Sequence, residues 1–339
     1  MFGFTMVNRI LVGLILSLFF VVSAQADISK RKSVKRFINH MVKTEKFDKK
    51  ELVALFKKIK IRKNILKAIK RPAESKPWYK YRKIFLTNER IQGGVKFWQE
   101  NEKTLESVQQ EYGVPAEIVI AIIGVETKYG NHKGGFHAAE ALSTLAFGYP
   151  RRAKFFQKEL KELLLWSRDE KMDPYSIMGS YAGALGEPQF MPSNVRKYAV
   201  DFDGDNKHDL INNSKDAIAS VANYFKKHGW ITDGPVTVPA KVKGRSYRRI
   251  VKKGIKPRST VTALAKSGIK PTQEVPGSEK AALIELKLGK GHEYWLGLSN
   301  FYVITRYNHS QHYAMAVYQL SQEIVKARKL AAMADNSSK

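Results

Sequence analysis

The sequence contains no cysteine among its 339 residues. This absence excludes disulfide bonds, thiolate metal sites, cysteine nucleophiles and cysteine-linked lipid anchors. A phosphate-binding glycine loop and an H-E-x-x-H zinc motif are also absent. After the N-terminus, no apolar stretch approaches the ~20 residues that a membrane-spanning helix needs. Nucleotide chemistry, zinc hydrolysis and cysteine catalysis are therefore not indicated.

Acidic residues are few, with 31 Asp and Glu against 59 Lys and Arg, and the formal net charge is +28. Such a charge favours an anionic partner. Residues 27–90 hold 22 basic and 6 acidic residues, and residues 236–273 hold 11 basic and no acidic ones. Residues 106–234 are nearly neutral, with 15 basic and 17 acidic residues. We interpret the two basic flanks as docking surfaces, and ordinary solvated faces are the alternative.

The first 26 residues have the pattern of a signal peptide. Arg9 precedes an apolar stretch at residues 10–22, which is followed by the small-residue site Ala24-Gln25-Ala26. We therefore expect cleavage after Ala26 and an exported, soluble mature chain, which is periplasmic in a Gram-negative host. An uncleaved N-terminal anchor is the alternative.

The apolar pattern predicts a mainly helical protein with a small β-rich part. Asp48 is a candidate N-cap, and Gly113 and Gly229 are expected to end helices. In residues 236–242 and 282–288, apolar and polar side chains roughly alternate with period two, which is typical of strands. Helical periodicity is found at residues 36–42, 50–59, 95–112, 118–125, 152–166, 216–228 and 312–332.

These patterns and the charge distribution divide the mature chain into five parts. We expect the following: a basic helical domain at 27–105, a core at 106–234, a β-rich basic subdomain at 235–290, a C-terminal segment at 291–333 that returns to the core, and a disordered tail at 334–339.

Glu126 is the first candidate for chemistry. It follows seven apolar side chains and a glycine at the end of a helix that is apolar all round, which is typical of a buried helix. On that helix it shares a face with Val119, Ile122 and Ile123. Poor solvation is expected to raise the pKa of the Glu126 carboxyl, as a general acid requires. A partly exposed glutamate without a role is the alternative.

Two further segments offer groups that suit sugars. Residues 180–192 are rich in Gly and Ala, which permits close approach of a ligand, and Ser180 and Gln189 offer neutral hydrogen-bonding groups. A tightly packed turn is the alternative. The second segment is aromatic, and sugar rings stack on such side chains, although core packing explains some of them. Its members are Tyr294, Trp295, Phe301, Tyr302, Tyr307 and Tyr313, with Asn308 among them.

An acidic segment has the composition of a calcium site. Carboxylates at alternate positions suit Ca²⁺, which takes six to eight oxygen ligands. The segment departs from a standard EF-hand loop, because Gly204 precedes the third acidic residue and Asn212 occupies the twelfth position. A variant loop that closes on a later aspartate is one interpretation, and an acidic surface turn is the other. The candidate ligands are Asp201, Asp203, Asp205 and Asp216.

Several motifs together resemble the family of membrane-bound lytic murein transglycosylase B, in order and spacing, from about residue 37 to 322. The resemblance implies a lysozyme-like core at 106–234, flanked by the helical domain and the β subdomain. It also implies cleavage of the β-1,4 bond between N-acetylmuramic acid (MurNAc) and N-acetylglucosamine (GlcNAc) in peptidoglycan, with a 1,6-anhydroMurNAc product and no water consumed. The motifs are G-V-E-T at 124–127, Y-P-R-R at 149–152, the 180–192 segment, Y-A-V-D-F at 198–202, A-N-Y-F at 222–225 and N-F-Y-V-I-T-R-Y-N at 300–308.

The resemblance implies that Glu126 is a single acid and base. It would first protonate the leaving glycosidic oxygen and then accept the proton of the C6 hydroxyl as that oxygen attacks C1. One carboxylate then suffices, whereas ordinary glycosidases use two. Arg151 and Arg152 are expected to meet stem-peptide carboxylates. The implied groove residues are Ser180, Gln189, Tyr224, Tyr307, Asn308, Tyr313 and Tyr81.

The implied metal is a structural Ca²⁺, and no cofactor is expected for catalysis. Peptidoglycan glycan strands are the expected partner, together with other cell-wall enzymes. Nucleic acid is not expected, because the signal peptide and the neutral middle argue against it, and without cysteine no lipid anchor is expected. Two alternatives remain open: a non-catalytic peptidoglycan-binding protein, and a muramidase that uses Glu140 or Glu187 to activate water. Glu187 departs from the family pattern. If it does not activate water, the alternative is that it alters which sugars the subsites of the groove prefer.

Overall fold

The computed structural model describes residues 27–70 and 75–337, so the predicted signal peptide lies outside the described residues. The N-terminal part is helical and begins with a 3₁₀ turn at Ile28–Lys30. No helix of the described residues is both long and apolar enough to cross a bilayer. The first five helices are α1 (Lys32–Glu45), α2 (Lys49–Lys58), α3 (Lys63–Ala68), α4 (Trp78–Phe85) and α5 (Asn88–Glu100).

The middle of the chain is built around one buried helix. Every residue of 118–125 in this helix, α7, is buried, as its unbroken apolar run predicted. It packs against α5, against its neighbours α6 and α11, and against the last helix of the chain. The elements are α6 (Glu102–Tyr112), α7 (Ala116–Thr127), β1 (Phe136–His137), α8 (Ala138–Gly148), α9 (Ala153–Asp169), β2 (Met178–Gly179), α10 (Pro192–Tyr198) and α11 (Ser214–Lys227), with a 3₁₀ turn at Pro150–Arg152.

A five-stranded antiparallel sheet forms the small subdomain. Its strand order is β4-β6-β7-β3-β5, and Leu296 of β7 pairs with Val238 of β3 and Leu283 of β6. The same side chains form a second, smaller hydrophobic core. The elements are β3 (Thr237–Val242), α12 (Tyr247–Val251), β4 (Ser259–Thr260), α13 (Val261–Lys266), β5 (Ile269–Pro271), β6 (Lys280–Lys287) and β7 (His292–Gly297).

Two final helices, α14 (Ser299–Tyr307) and α15 (Gln311–Ser337), return to the core, where α15 packs on α7 and α5. The predicted fold class is confirmed in its mainly α composition and its small β subdomain. The sheet continues past residue 290, the predicted end of the β-rich subdomain, because β7 pairs with both β6 and β3.

Two local predictions were wrong. The single helix expected over 95–112 is broken at Asn101, whose backbone leaves the helical conformation with φ −121° and ψ 19° and whose Nδ2 donates to the Phe97 carbonyl at 2.9 Å. The tail expected to be disordered is helical as far as Ser337, because alanine-rich residues 331–334 are strong helix formers. The N-cap prediction is confirmed, since the Asp48 side chain accepts from the Glu51 amide at 2.9 Å.

Candidate active site

Glu126 lies at the last turn of α7, half-buried, where the helix opens onto a cleft of about 550 Å³. Helix α7 ends here because Lys128 and Tyr129 adopt left-handed φ angles of 50° and 60°. The Tyr313 hydroxyl donates to Glu126 Oε1 at 2.6 Å. The buried helix therefore carries one carboxylate to the cleft, and the first turn of α15 supplies its hydrogen-bond donor.

Tyr313 is suited to remain a donor. Its side chain is only 2% exposed, and burial raises the pKa of Tyr313 well above its usual value, with the negative charge of Glu126 adding to the effect. Tyr307 lies parallel to it, with ring centroids 6.3 Å apart and an angle of 10° between the planes. The Tyr307 hydroxyl donates to the Pro188 carbonyl at 2.6 Å, which fixes that ring. Both phenols thus stay protonated beside the carboxylate.

Most of the predicted groove residues come together at this cleft. Tyr313 is not among the lining residues, but its hydroxyl contacts Glu126. Arg151 is exposed and is not among the lining residues, and Tyr81 is 1% exposed in a cluster with Trp78, Phe85 and His312. The predicted residues that line the cleft are Glu126, Arg152, Ser180, Gln189, Tyr224, Tyr307 and Asn308.

Other lining residues were not predicted. Tyr181 and Met191 belong to the 180–192 segment, so the composition of that segment was a usable signal for them. Ile69, at the end of α3, reaches the cleft from the N-terminal part, and its sequence surroundings carry no signal for this position. The remaining unpredicted lining residues are Phe155, Phe156, Ala182, Ala184, Phe190, Asn194 and His309.

The Gly- and Ala-rich segment forms a tight wall of the cleft. Its first turn is closed by hydrogen bonds between Ser180 and Ala184, at 2.9 Å through the main chain and 3.1 Å through the Ser180 hydroxyl. Gly183 has φ +82°, and a Cβ there would lie 2.4 Å from Leu142. Gln189 holds a left-handed φ of 51°, and strained backbone of this kind is common at functional sites.

An aromatic wall faces this segment. The Tyr224 hydroxyl donates to the Arg306 carbonyl at 2.6 Å, and burial raises the pKa of Tyr224. Its ring stacks on His228 with centroids 3.9 Å apart and lies 5.0 Å from Tyr307. Fixed aromatic faces of this kind suit sugar rings.

The two other carboxylates considered for catalysis lie elsewhere. Glu140 is 1% exposed and pairs with Arg62 at 2.7 Å, while it also accepts from the Lys60 amide at 3.1 Å. Glu187 is 5% exposed and faces Lys133 rather than the cleft. Within the described chain, Glu126 is the only carboxylate among the cleft-lining residues. A hydrolytic route through a second carboxylate is therefore not supported by this geometry.

The acidic segment folds as a loop that fits a hard cation. Carboxylate oxygens of Asp201, Asp203 and Asp205 all lie within 4.8 Å of one another. Asp201 accepts from the Gly204 and Asn206 amides at 2.8 Å each. Asn206 occupies the sixth loop position with φ +65°, where an EF-hand has glycine, and asparagine tolerates this conformation. Three clustered carboxylates are the oxygen donors that Ca²⁺ prefers.

Asp216 lies outside that cluster. It is fully buried in the first turn of α11, and its two oxygens accept from the Phe202 and Asp209 amides at 2.9 Å each. Burial raises the pKa of Asp216, and the nearby Asp203 and Asp201 add to the effect. The structure therefore places Asp216 where it joins the two ends of the loop.

This cleft on a lysozyme-like core defines a class of protein. The family model described as the transglycosylase SLT domain matches residues 29–322, and the chain belongs to that family. Membrane-bound lytic murein transglycosylase B of Escherichia coli (strain K12) is 42% identical over an alignment of 318 residues, and the match covers 91% of this chain and 87% of that protein. The predicted enzyme class, a lytic transglycosylase, is thus confirmed.

Solved structures agree with this assignment. Catenated lytic transglycosylase SltB1 of Pseudomonas aeruginosa has a TM-score of 0.85 and 46% identity, and the match covers 89% of this chain and all of that chain. E. coli lytic transglycosylase Slt35 in complex with calcium has a TM-score of 0.82 and 42% identity, and the match covers 89% of this chain and 96% of that chain. P. aeruginosa SltB3 in complex with NAG-NAM-pentapeptide has a TM-score of 0.77 and 29% identity, and the match covers 87% of this chain and 80% of that chain.

Proposed function

We propose that this protein cleaves the β-1,4 bond between MurNAc and GlcNAc of peptidoglycan and leaves a 1,6-anhydroMurNAc end. The observation that carries the proposal is the single cleft-lining carboxylate, Glu126, with the Tyr313 hydroxyl on its Oε1. The names of the relatives, which refer to murein and to a bound NAG-NAM-pentapeptide, support this substrate class. Digestion of purified sacculi followed by mass spectrometry of the products tests the function.

In this proposal one carboxyl works in both steps. Glu126 first gives its proton to the leaving glycosidic oxygen, and the N-acetyl group of the substrate stabilises the positive centre. The Glu126 carboxylate then takes the proton of the C6 hydroxyl as that oxygen attacks C1. Tyr313 steadies the carboxylate between the steps, because a hydrogen bond donated to a charged oxygen is stronger than one between neutral groups.

The rest of the cleft would hold the glycan. Tyr224 and Tyr307 offer aromatic faces, and Ser180, Gln189 and Asn308 offer polar groups for hydroxyls and acetamides. We also propose that Arg152, whose guanidinium lies 4.2 Å from the centre of the Phe155 ring, meets stem-peptide carboxylates. Arg151 remains a proposal for the same surface, because it is exposed and adjacent to Arg152. Tyr81 remains a proposed groove residue, although in this structure its ring is buried against Trp78 and His312.

We also propose that the protein acts in the periplasm after removal of residues 1–26. The A-x-A site before Asp27 and the murein substrate of the E. coli relative support this localisation. N-terminal sequencing of the protein purified from its host should begin at Asp27, and a retained Met1 would contradict cleavage.

We propose that the acidic loop holds a structural Ca²⁺, as the Slt35 complex with calcium supports. Chelation with EGTA should lower the melting temperature by about 5 °C, because a ligand at 100 times its Kd stabilises by about 2.7 kcal/mol. A variant with Asp203→Ala and Asp205→Ala should lose this response. A control with Glu106→Ala and Glu323→Ala, which are exposed carboxylates outside the loop, should keep it. An unchanged melting temperature of the wild type in EGTA would contradict the site.

We propose that the basic N-terminal flank helps the protein to adhere to anionic murein. Lys32, Lys35, Arg36 and Lys43 of α1 are all exposed, and replacing them with glutamine should weaken sedimentation with sacculi by about tenfold at low salt. Replacing four exposed lysines outside both basic flanks should have a smaller effect. Equal sedimentation of the two variants would contradict a specific role for α1. The control lysines are Lys154, Lys158, Lys171 and Lys227.

A further inference from the structure

Glu187 is a buried carboxylate that the proposed reaction does not use. Its side chain accepts from the Ser214 hydroxyl at 3.0 Å and lies 3.6 Å from Lys133 Nζ, while its Oε2 makes no hydrogen bond to a described protein group. Burial raises the pKa of the Glu187 carboxyl. Burying a charge in such surroundings lowers the stability of the fold. A role in function would explain why the residue is tolerated there.

Lys133 connects this carboxylate to the cleft. Its ammonium donates to the Ile211 carbonyl and faces Glu187 Oε1, and its own carbonyl accepts from Gln189 Nε2 at 3.1 Å. Gln189 lines the cleft in a left-handed backbone conformation, which persists only when its surroundings hold it. The ion pair therefore fixes the segment that presents Gln189.

The main chain of Glu187 connects this ion pair to helix α7, which carries Glu126. Its amide donates to the Leu210 carbonyl at 2.8 Å, and its carbonyl accepts from the Thr127 hydroxyl at 2.9 Å. Thr127 is fully buried, follows Glu126 directly, and also accepts from the Gly130 amide at 3.0 Å. Three segments thus meet at Glu187: the end of α7, the turn that contains Lys133, and residues 210–214.

We propose that Glu187 and Lys133 are a pair of positioning residues for the transglycosylase reaction. The pair fixes the position of Gln189 relative to the end of α7. This inference rests on the proposed function. The pair acts through other residues and does not touch the substrate. Misplacing reacting groups by about 1 Å lowers rates by as much as about a hundredfold, so a loosened pair should affect turnover.

Glu187→Gln is the variant that tests the pair. Glutamine keeps an oxygen for the Ser214 hydroxyl but removes the charge that faces Lys133, whose side chain is 31% exposed and so stays hydrated. We expect kcat on sacculi to fall about tenfold, while the melting temperature is unchanged or higher because a buried charge is gone. Lys133→Met should lower kcat similarly. The double variant should be no slower than the slower single variant, because the two residues act as one unit.

Glu140→Gln is the matched control, since Glu140 is a buried, ion-paired carboxylate that does not line the cleft. Glu140 pairs with Arg62 at 2.7 Å and accepts from the Lys60 amide and the Tyr175 hydroxyl, so its charge is better compensated than that of Glu187. Glu140→Gln should therefore lower the melting temperature and leave kcat unchanged at temperatures where the protein is folded. Wild-type kcat in Glu187→Gln, or fold-losses that multiply in the double variant, would overturn the proposal.

A second readout does not depend on turnover. Amide hydrogen exchange of residues 183–190 should be faster in Glu187→Gln than in the wild type and unchanged in Glu140→Gln. If the wild type yields no anhydro products, the proposed function fails while this measurement still tests the pair. Unchanged exchange in Glu187→Gln would overturn the positioning role even if the enzyme is active.

Discussion

Replacing Glu126 with glutamine should lower the release of soluble fragments from sacculi by about a thousandfold. A positioned acid and base contributes about 10² to 10⁴ in rate, and here one carboxyl serves both steps. Glutamine has nearly the same shape and keeps an oxygen that accepts from Tyr313, so the fold and the cleft should remain intact. The initial rate of fragment release and the melting temperature are the measurements.

Glu117→Gln provides the matched control for this prediction. Glu117 lies in the first turn of the same helix, at the opposite end from the cleft, and is likewise half-buried. It should retain the wild-type rate. If Glu126→Gln kept more than about a tenth of the wild-type rate, Glu126 would not be the acid and base.

Replacing Tyr313 with phenylalanine should lower kcat by about tenfold to a hundredfold. The change removes the hydroxyl that donates to Glu126 Oε1 at 2.6 Å, and a hydrogen bond to a charged group contributes about 1.5 to 3 kcal/mol. The ring remains, so its stacking with Tyr307 is kept and KM should change little. Steady-state kinetics with soluble glycan fragments separates the two parameters.

Tyr318→Phe is the control for Tyr313→Phe, because Tyr318 lies on the same helix and packs its ring on Trp295, away from Glu126. Its kcat should equal that of the wild type. A Tyr313→Phe enzyme with unchanged kcat would show that the carboxylate does not need this donor.

The sequence predicted the features that depend on local pattern. The apolar run at 118–125 predicted a buried helix, and a carboxylate at its end followed from chain order alone. Period-two alternation at 236–242 and 282–288 predicted strands, which are observed as β3 and β6. Local pattern failed at Asn101, where the backbone leaves the helical conformation inside a periodic segment.

Contacts between distant segments could not be predicted from pattern. The Tyr313 hydroxyl and Glu126 are 187 positions apart, and the Arg62 and Glu140 pair is separated by 78. Such pairs form only when helices pack, and their chemistry leaves no periodic trace in the sequence. Glu187 illustrates this, because its position in the Gly-rich segment left open a role near the cleft, whereas its side chain packs against Lys133 and Ser214.

The mass of the products tests most directly whether Glu126, as the single acid and base, cleaves the glycosidic bond without water. Purified sacculi are digested with the wild type and with Glu126→Gln, and the fragments are analysed by mass spectrometry. We predict wild-type fragments that are one water molecule lighter than the corresponding hydrolysis products, and no such fragments from Glu126→Gln. Fragments of full hydrolytic mass, or sacculi that bind the wild type and stay intact, would contradict the claim.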